Sequence, residues 1–234
     1  MTIRFAVACL TAFGWLCAAS AGAQPPPFRF EPPGELEPGS GQGLRDSTIY
    51  LPGIRFPVER APAYLNSQVW RPGGQRGGGG GQCDSRNYAY PWRDNYCESR
   101  SWEMPMCPSG AGHQGVDIRP ATCRADLHWA VAAEDGVIAQ IGRYSVTLQT
   151  PRGTIYRYLH LNMSQMAVRE LDTVRRGQRI GQISNHFGGT PTTIHLHLDV
   201  KDTIRVGQVR RAVHVPPYAS LAAAYRELLA ADGQ

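Results

Sequence analysis

The chain has 234 residues, with 24 Lys and Arg against 19 Asp and Glu, a net charge of +5. That length bounds it to about one domain with accessory segments, and no run beyond the N-terminus reaches membrane-spanning length. The charge excess is mild and forms no basic run, which excludes a nucleic-acid-binding arm and fits either an acidic polymer or an ordinary solvated surface.

In chain order, residues 1–23 read as a secretory leader. Arg4 is the positive region, Phe5 to Leu16 the apolar core, and Ala21-Gly22-Ala23 the small-residue cleavage site. Trp15 and Leu16 stand before Cys17 where a lipoprotein needs small residues, so a soluble periplasmic or secreted product cut after Ala23 is expected. Residues 24–48, rich in Pro, Gly and Glu, read as a disordered tether. Residues 49–70 are too apolar for a free linker and are expected to dock on the domain as an extended arm. A glycine-rich break through Gln82 follows, and the compact domain is expected over 83–234.

Four cysteines lie beyond the leader, at 83, 97, 107 and 123. An even count in an exported chain predicts two disulfides. Of the three pairings, Cys107–Cys123 and Cys83–Cys97 are expected, because the first would bracket the segment "GAGHQGVDIRP" at 110–120. No C-x-x-C pair is present, which argues against a zinc finger.

Within the domain the pattern is short strands punctuated by turns. "WAVAAEDGVIAQIG" reads as two runs around Glu134-Asp135-Gly136, and "SVTLQTPRGTIYRYLHL" as a hairpin around Pro151-Arg152-Gly153. Further strands fall near 179–184 and 193–200. Only "YASLAAAYRELLAA" has helical periodicity, and Pro216-Pro217 bar an earlier start. The expected class is mainly β, with antiparallel sheets and a C-terminal helix.

The chemistry-bearing residues are His113 and Asp117, four apart, and His195 and His197, two apart. Residues i and i+2 of a strand share a face, so both histidines can point one way while Leu196, Leu198 and Val200 enter a core. On an extended segment i and i+4 also share a face. The glycines around His113 and Pro120 disfavour a helix there. A catalytic zinc usually takes three protein ligands and leaves a fourth position open. His113, Asp117 and one of His195 or His197 make such a set; spacing alone leaves open which. His160 ends "IYRYLH", with Tyr156 and Tyr158 on its own face by period two.

"HQGVD" (113–117), "YLHL" (158–161), "GQRIG" (177–181) and "HLH" (195–197) occur in this order. Together they resemble the LytM/lysostaphin-type zinc endopeptidases, which cut peptide bridges in bacterial peptidoglycan. The resemblance covers roughly residues 110–200. It implies a β-structure with an open groove, one zinc held by His113, Asp117 and His197, and a catalytic pair, His160 and His195. It implies a peptidoglycan peptide as substrate, with a D,D-carboxypeptidase as the near alternative. A non-catalytic activator of another wall hydrolase is a second alternative, but such modules typically lose ligands and all five positions are kept here. Thr193-Ile194 stands where the family usually has Gly-Pro, which bears on the shape of the groove wall.

Other residues take plainer roles. His128 and His214 read as structural or exposed, His186 as a groove residue, and Asp199, Tyr156, Tyr158 and Thr193 as supports for the ligands. Trp92, Tyr96 and Trp102 read as packing. The arm at 49–70 is expected as a docked strand; its rival is an autoinhibitory segment that brings Asn66 near the metal.

Overall fold

Alternating apolar residues in the second half of the chain form strands because each buries one face. The computed structural model describes residues 27–233; the leader lies outside them. The strands are β1 (Tyr64–Leu65), β2 (Gly115–Arg119), β3 (Trp129–Val131), β4 (Gly136–Ile141), β5 (Ser145–Gln149), β6 (Ile155–Leu159), β7 (Leu161–Met166), β8 (Thr173–Val174), β9 (Arg179–Ile183), β10 (Leu196–Val206) and β11 (Val209–His214), followed by helix α1 (Tyr218–Ala231). The larger sheet runs β1-β2-β10-β6-β5-β4-β8, with β11 also paired to β10; a smaller one places β9 between β3 and β7. Every pair is antiparallel, as the sequence pattern predicts.

The hairpin around 151–153 forms between β5 and β6, with Leu148 opposite Tyr156. The turn at Glu134-Asp135 instead moves the chain between sheets. β3 pairs with β9, while β4 pairs with β5 and β8. The backbone explains this: Val131 N–H donates to Pro57 O and Ala132 N–H to Gln178 O, so the end of β3 has no free edge for β4.

Val116, Ile118, Tyr156, Tyr158, Leu196, Leu198 and Val200 are buried on the core side of the large sheet. Tyr218, Leu221, Tyr225 and Leu228 of α1 belong to the same core. Tyr225 lies 4.5 Å from Trp92 and 4.8 Å from both Phe56 and Phe28, ring centre to ring centre. Such aromatic pairs contribute about 0.5–1.5 kcal/mol each beyond the area they bury.

Two N-terminal expectations need correction. Residues 27–48, expected as a disordered tether, lie on the domain. Phe28 and Phe30 pack against the core, Leu36 is buried, and Glu31 N–H donates to Trp92 O at 2.8 Å. The apolar rings offset the ordering cost that their Pro- and Glu-rich surroundings impose. The start of the glycine-rich stretch is also packed rather than a free link, while Gly78 to Gly81 are exposed. A Cβ on Gly74 would stand 2.4 Å from the carbonyl oxygens of Gln68 and Val69, so glycine permits a backbone contact. The arm at 49–70 docks as expected: Leu51, Ile54, Phe56, Val58 and Leu65 are buried, and β1 pairs with β2.

The disulfides are Cys83–Cys123 and Cys97–Cys107, not the expected pairs. Met104 N–H donates to Gly110 O and Cys97 N–H to His113 O. These bonds turn 97–110 into a loop that brings Cys107 back to Cys97. Cys123, beyond the end of β2, meets the close of the glycine-rich stretch. The segment 110–120 is therefore tied at its two ends to different parts of the chain. No helix among the described residues is long and apolar enough to cross a membrane.

Candidate active site

β2 and β10 are hydrogen-bonded neighbours, and their register sets His197 directly opposite Asp117. Directly opposed side chains on one face lie about 4.5–5.5 Å apart at Cβ, within touching reach. Gly115 permits the close approach: a Cβ there would meet Leu198 O at 2.2 Å. His113 stands just before β2, its N–H donating to Glu98 O. Its Nε2 lies 3.0 Å from His197 Nδ1 and 3.5 Å from Asp117 Oδ1, and His197 Nδ1 lies 3.0 Å from Asp117 Oδ1.

The outer nitrogens fix which lone pairs face inward. His113 Nδ1 lies 2.9 Å from Asn95 O, a carbonyl that only accepts, so the proton sits on Nδ1 and Nε2 is bare. His197 Nε2 lies 3.3 Å from the carboxylate of Asp199, which leaves Nδ1 bare in the neutral ring. Two bare nitrogens 3.0 Å apart repel unless a cation sits between them. Metal–nitrogen bonds of about 2.0–2.1 Å at tetrahedral angles separate ligand atoms by about 3.3 Å, and the three spacings bracket that value. The residues fit a metal ion.

The charges agree. Burial pushes the His113 imidazole down to about 4, keeping it neutral. Burial would lower His197 as well, but Asp117 and Asp199 on either side hold it up to about 9. Burial opposes the Asp117 carboxylate, yet His113, His195 and His197 hold it well below the usual range. In the metal-free protein, His197 carries the proton that a metal would replace.

His195 and His160 stand beside this trio, with ring centres 4.5 Å apart. His195 Nδ1 donates to Thr193 O at 2.8 Å, and its Nε2 lies 3.4 Å from Asp117 Oδ1. His160 Nδ1 donates to His186 O at 3.0 Å. Burial, with His195 and His197 nearby, pushes His160 down to about 2. Both rings are therefore oriented by loop carbonyls, with Nε2 bare.

Residues 111–209 match the model of Peptidase family M23. That segment, 99 of the 234 residues, holds all five predicted site residues. The fold is similar to that of a putative glycyl-glycine endopeptidase LytM from Ruminococcus gnavus, at 20% identity and TM-score 0.45, over 74% of this chain and 60% of that one. A putative M23 peptidase from Pseudomonas aeruginosa matches at 22% identity and TM-score 0.36, over 47% of this chain and 44% of that one. The catalytic domain of the antimicrobial peptidase lysostaphin from Staphylococcus simulans matches at 22% identity and TM-score 0.37, over 55% and 93%. No curated protein matches the chain.

All five predicted site residues line one groove of about 330 Å³. Asp199 contacts His197 and Thr193 contacts His195, but Tyr156 and Tyr158 do not reach the histidines. Their hydroxyls turn into the core, donating to Glu134 and meeting Ala133 N–H respectively. His160 adopts φ 68°, the left-handed region, just past the end of β6. That turn breaks the period-two relation and swings its ring into the groove instead. A non-glycine residue in that region costs on the order of 1–2 kcal/mol, and it stands at a candidate catalytic position.

Sequence reasoning missed several supports. Arg157 Nε lies 3.0 and 2.9 Å from the two Asp199 oxygens and Nη2 2.8 Å from Oδ2, a two-pronged clamp. His214, read as structural or exposed, is buried with Nε2 3.3 Å from Asp199 Oδ1. Asn95 offers its carbonyl to His113 and its side-chain oxygen to the Asp117 N–H. Arg157 had a signal, a polar residue alternating with two buried tyrosines; loop-borne Asn95 had none. Asn66 does not approach the trio. Its amide donates to Asn87 O, and its oxygen accepts from Arg119. Gln68 of the arm reaches the groove instead, accepting from Thr193 Oγ1 at 2.6 Å. Trp92 and Tyr96 are core residues, whereas Trp102 is 46% exposed at the rim.

Proposed function

We propose that the domain is a zinc endopeptidase that hydrolyses peptide cross-links of bacterial peptidoglycan, in a protein exported by its leader. The observation that carries this reading is the convergence of His113, Asp117 and His197 beside two histidines whose inward nitrogens are bare. When bound, zinc supplies Lewis acidity to an attacking water and to the scissile carbonyl. His195 Nε2 takes the proton released as water attacks, and the Asp117 carboxylate 3.4 Å away stabilises the resulting imidazolium. That imidazolium then donates to the oxyanion or to the leaving amine. His160 stays neutral, and its Nδ1 proton is committed to His186 O, so it acts as an acceptor that orients the water rather than as an oxyanion donor. Two disulfides support an oxidising compartment, and hence export.

The test is digestion of purified peptidoglycan by the protein lacking residues 1–23, with mass analysis of the products. Cross-linked dimers are expected to resolve into monomers, and both a chelator and His195→Ala should stop the reaction. Release of single terminal residues alone would assign a carboxypeptidase. Cleavage that survives both controls would reject the mechanism.

A further inference from the structure

The sheet face that carries His197 and Asp199 continues beyond the groove. β10 is 11 residues long, and past Lys201 only β11 accompanies it, as a two-stranded ribbon. Side chains two apart share a face, so His197, Asp199, Lys201, Thr203 and Arg205 form one row. Register sets Ala212 opposite Thr203 and Arg210 opposite Arg205 on the same face. Lys201, Thr203, Arg205, Arg210 and Ala212 are all exposed. The alternate residues Asp202, Ile204 and Val206 are only partly exposed, and Ile204 and Val206 pack on the core.

The open face therefore presents three cations and no acid. Lys201 is the chain's only lysine. Arg210 Nη2 donates to Thr203 O, and no carboxylate pairs with Lys201, Arg205 or Arg210 among the described residues. Like charges directly opposite in a strand pair destabilise it, so Arg205 facing Arg210 works against the ribbon's own folding. At the groove end Arg157 lies opposite Asp199 on this same face, its side chain 38% exposed. The positive row thus ends beside the Arg157–Asp199 ion pair at the edge of the groove.

We propose that the open face of the β10–β11 ribbon is a docking track for an anionic polymer, the carboxylate-bearing peptidoglycan, and leads it into the groove. The choice of polymer rests on the function proposed above. The charge complementarity and the continuity with the site rest on the ribbon alone. The attraction is exposed and therefore screened by salt.

The test compares the wild type with Arg205→Gln/Arg210→Gln and Arg205→Lys/Arg210→Lys, using purified insoluble peptidoglycan and a soluble cross-linked muropeptide dimer. Co-sedimentation of the Gln variant with the polymer at low salt is expected to weaken about tenfold, with much less salt dependence left. The Lys variant keeps the charge and should sediment like the wild type. Dimer cleavage should be equal in all three, and the Gln variant should melt no lower than the wild type because a repulsion has been removed. Undiminished sedimentation of the Gln variant, or equal loss in the Lys variant, would overturn the track. Failure of the wild type to cut the dimer would instead refute the proposed activity and leave the binding result to decide the track.

Discussion

The site has two halves built in different ways. Asp117 and His197 stand on hydrogen-bonded neighbouring strands, where register fixes their meeting, and His113 is two residues before the strand. His160 and His195 stand off the strands, oriented by the carbonyls of His186 and Thr193 in a loop. Both pairs of walls are buried, yet one is held by ladder bonds and the other by single contacts. On the proposed function this difference is a division of labour, in which the sheet side holds the metal and the loop side handles protons.

The largest effect should come from Asp117→Ala, which removes the trio's only carboxylate and the partner of His195. Bound metal, measured by elemental analysis, should fall to background, and turnover by at least about 10³-fold. His195→Ala sharpens the contrast. Turnover should drop about 10²–10⁴-fold with metal content unchanged, and loss of metal alongside activity would break the division between the halves. Arg157→Gln and Asp199→Asn loosen His197 without removing a ligand. Each should weaken metal affinity about 10–100-fold in chelator competition, with partial recovery in Arg157→Lys. A change in turnover at saturating metal with affinity intact would place Arg157 on the proton-handling side instead.

The smallest effect is on the pH dependence of the metal-free fold. His113 and His160 are held below their unfolded value of 6.5. The unfolded chain therefore takes up protons that the folded chain refuses, and stability falls as pH drops below about 6.5. Each contributes a slope of about 1.4 kcal/mol per pH unit, His113 until its folded value near 4. His197 is raised, so its contribution is full below 6.5 and is lost as pH rises through about 9. Buried Asp94 and Glu98, pushed up to about 6 and about 7, hold protons in the folded chain over part of the same range and offset these slopes, so the contrast between wild type and variant carries the test. His160→Ala should flatten the acid side only, and an unchanged acid slope would contradict the burial argument.

Much of the site was legible because strand periodicity acts on nearest neighbours. His195/His197 and His113/Asp117 converge as their spacing implied, and the 218–231 helix spans the periodic stretch. What was not legible depends on partners distant in sequence. The alternation of "WAVAAEDGVIAQIG" could not say that its two runs join different sheets. Period two placed Tyr156 and Tyr158 beside His160, but one left-handed residue inverted the relation. The tether was misjudged because Pro and Glu dominate its composition, while Phe28 and Phe30 decide its fate. The cysteine pairing followed loop contacts that sequence proximity does not encode.

Helix α1 has a consequence for when the molecule can form. Tyr225 accepts from Ala63 N–H, Ser220 from Leu51 N–H, and Tyr218 donates to Glu31 O, across sequence separations of 162, 169 and 187 residues. The N-terminal segments thus have no complete core to join until the chain is made through residue 228. Such long-range closure is slow and favours late assembly. On the export reading this is useful: a polypeptide that cannot finish folding during synthesis stays threadable until it has crossed. Fragments ending before Tyr218 should then remain protease-sensitive, while the longer chain resists.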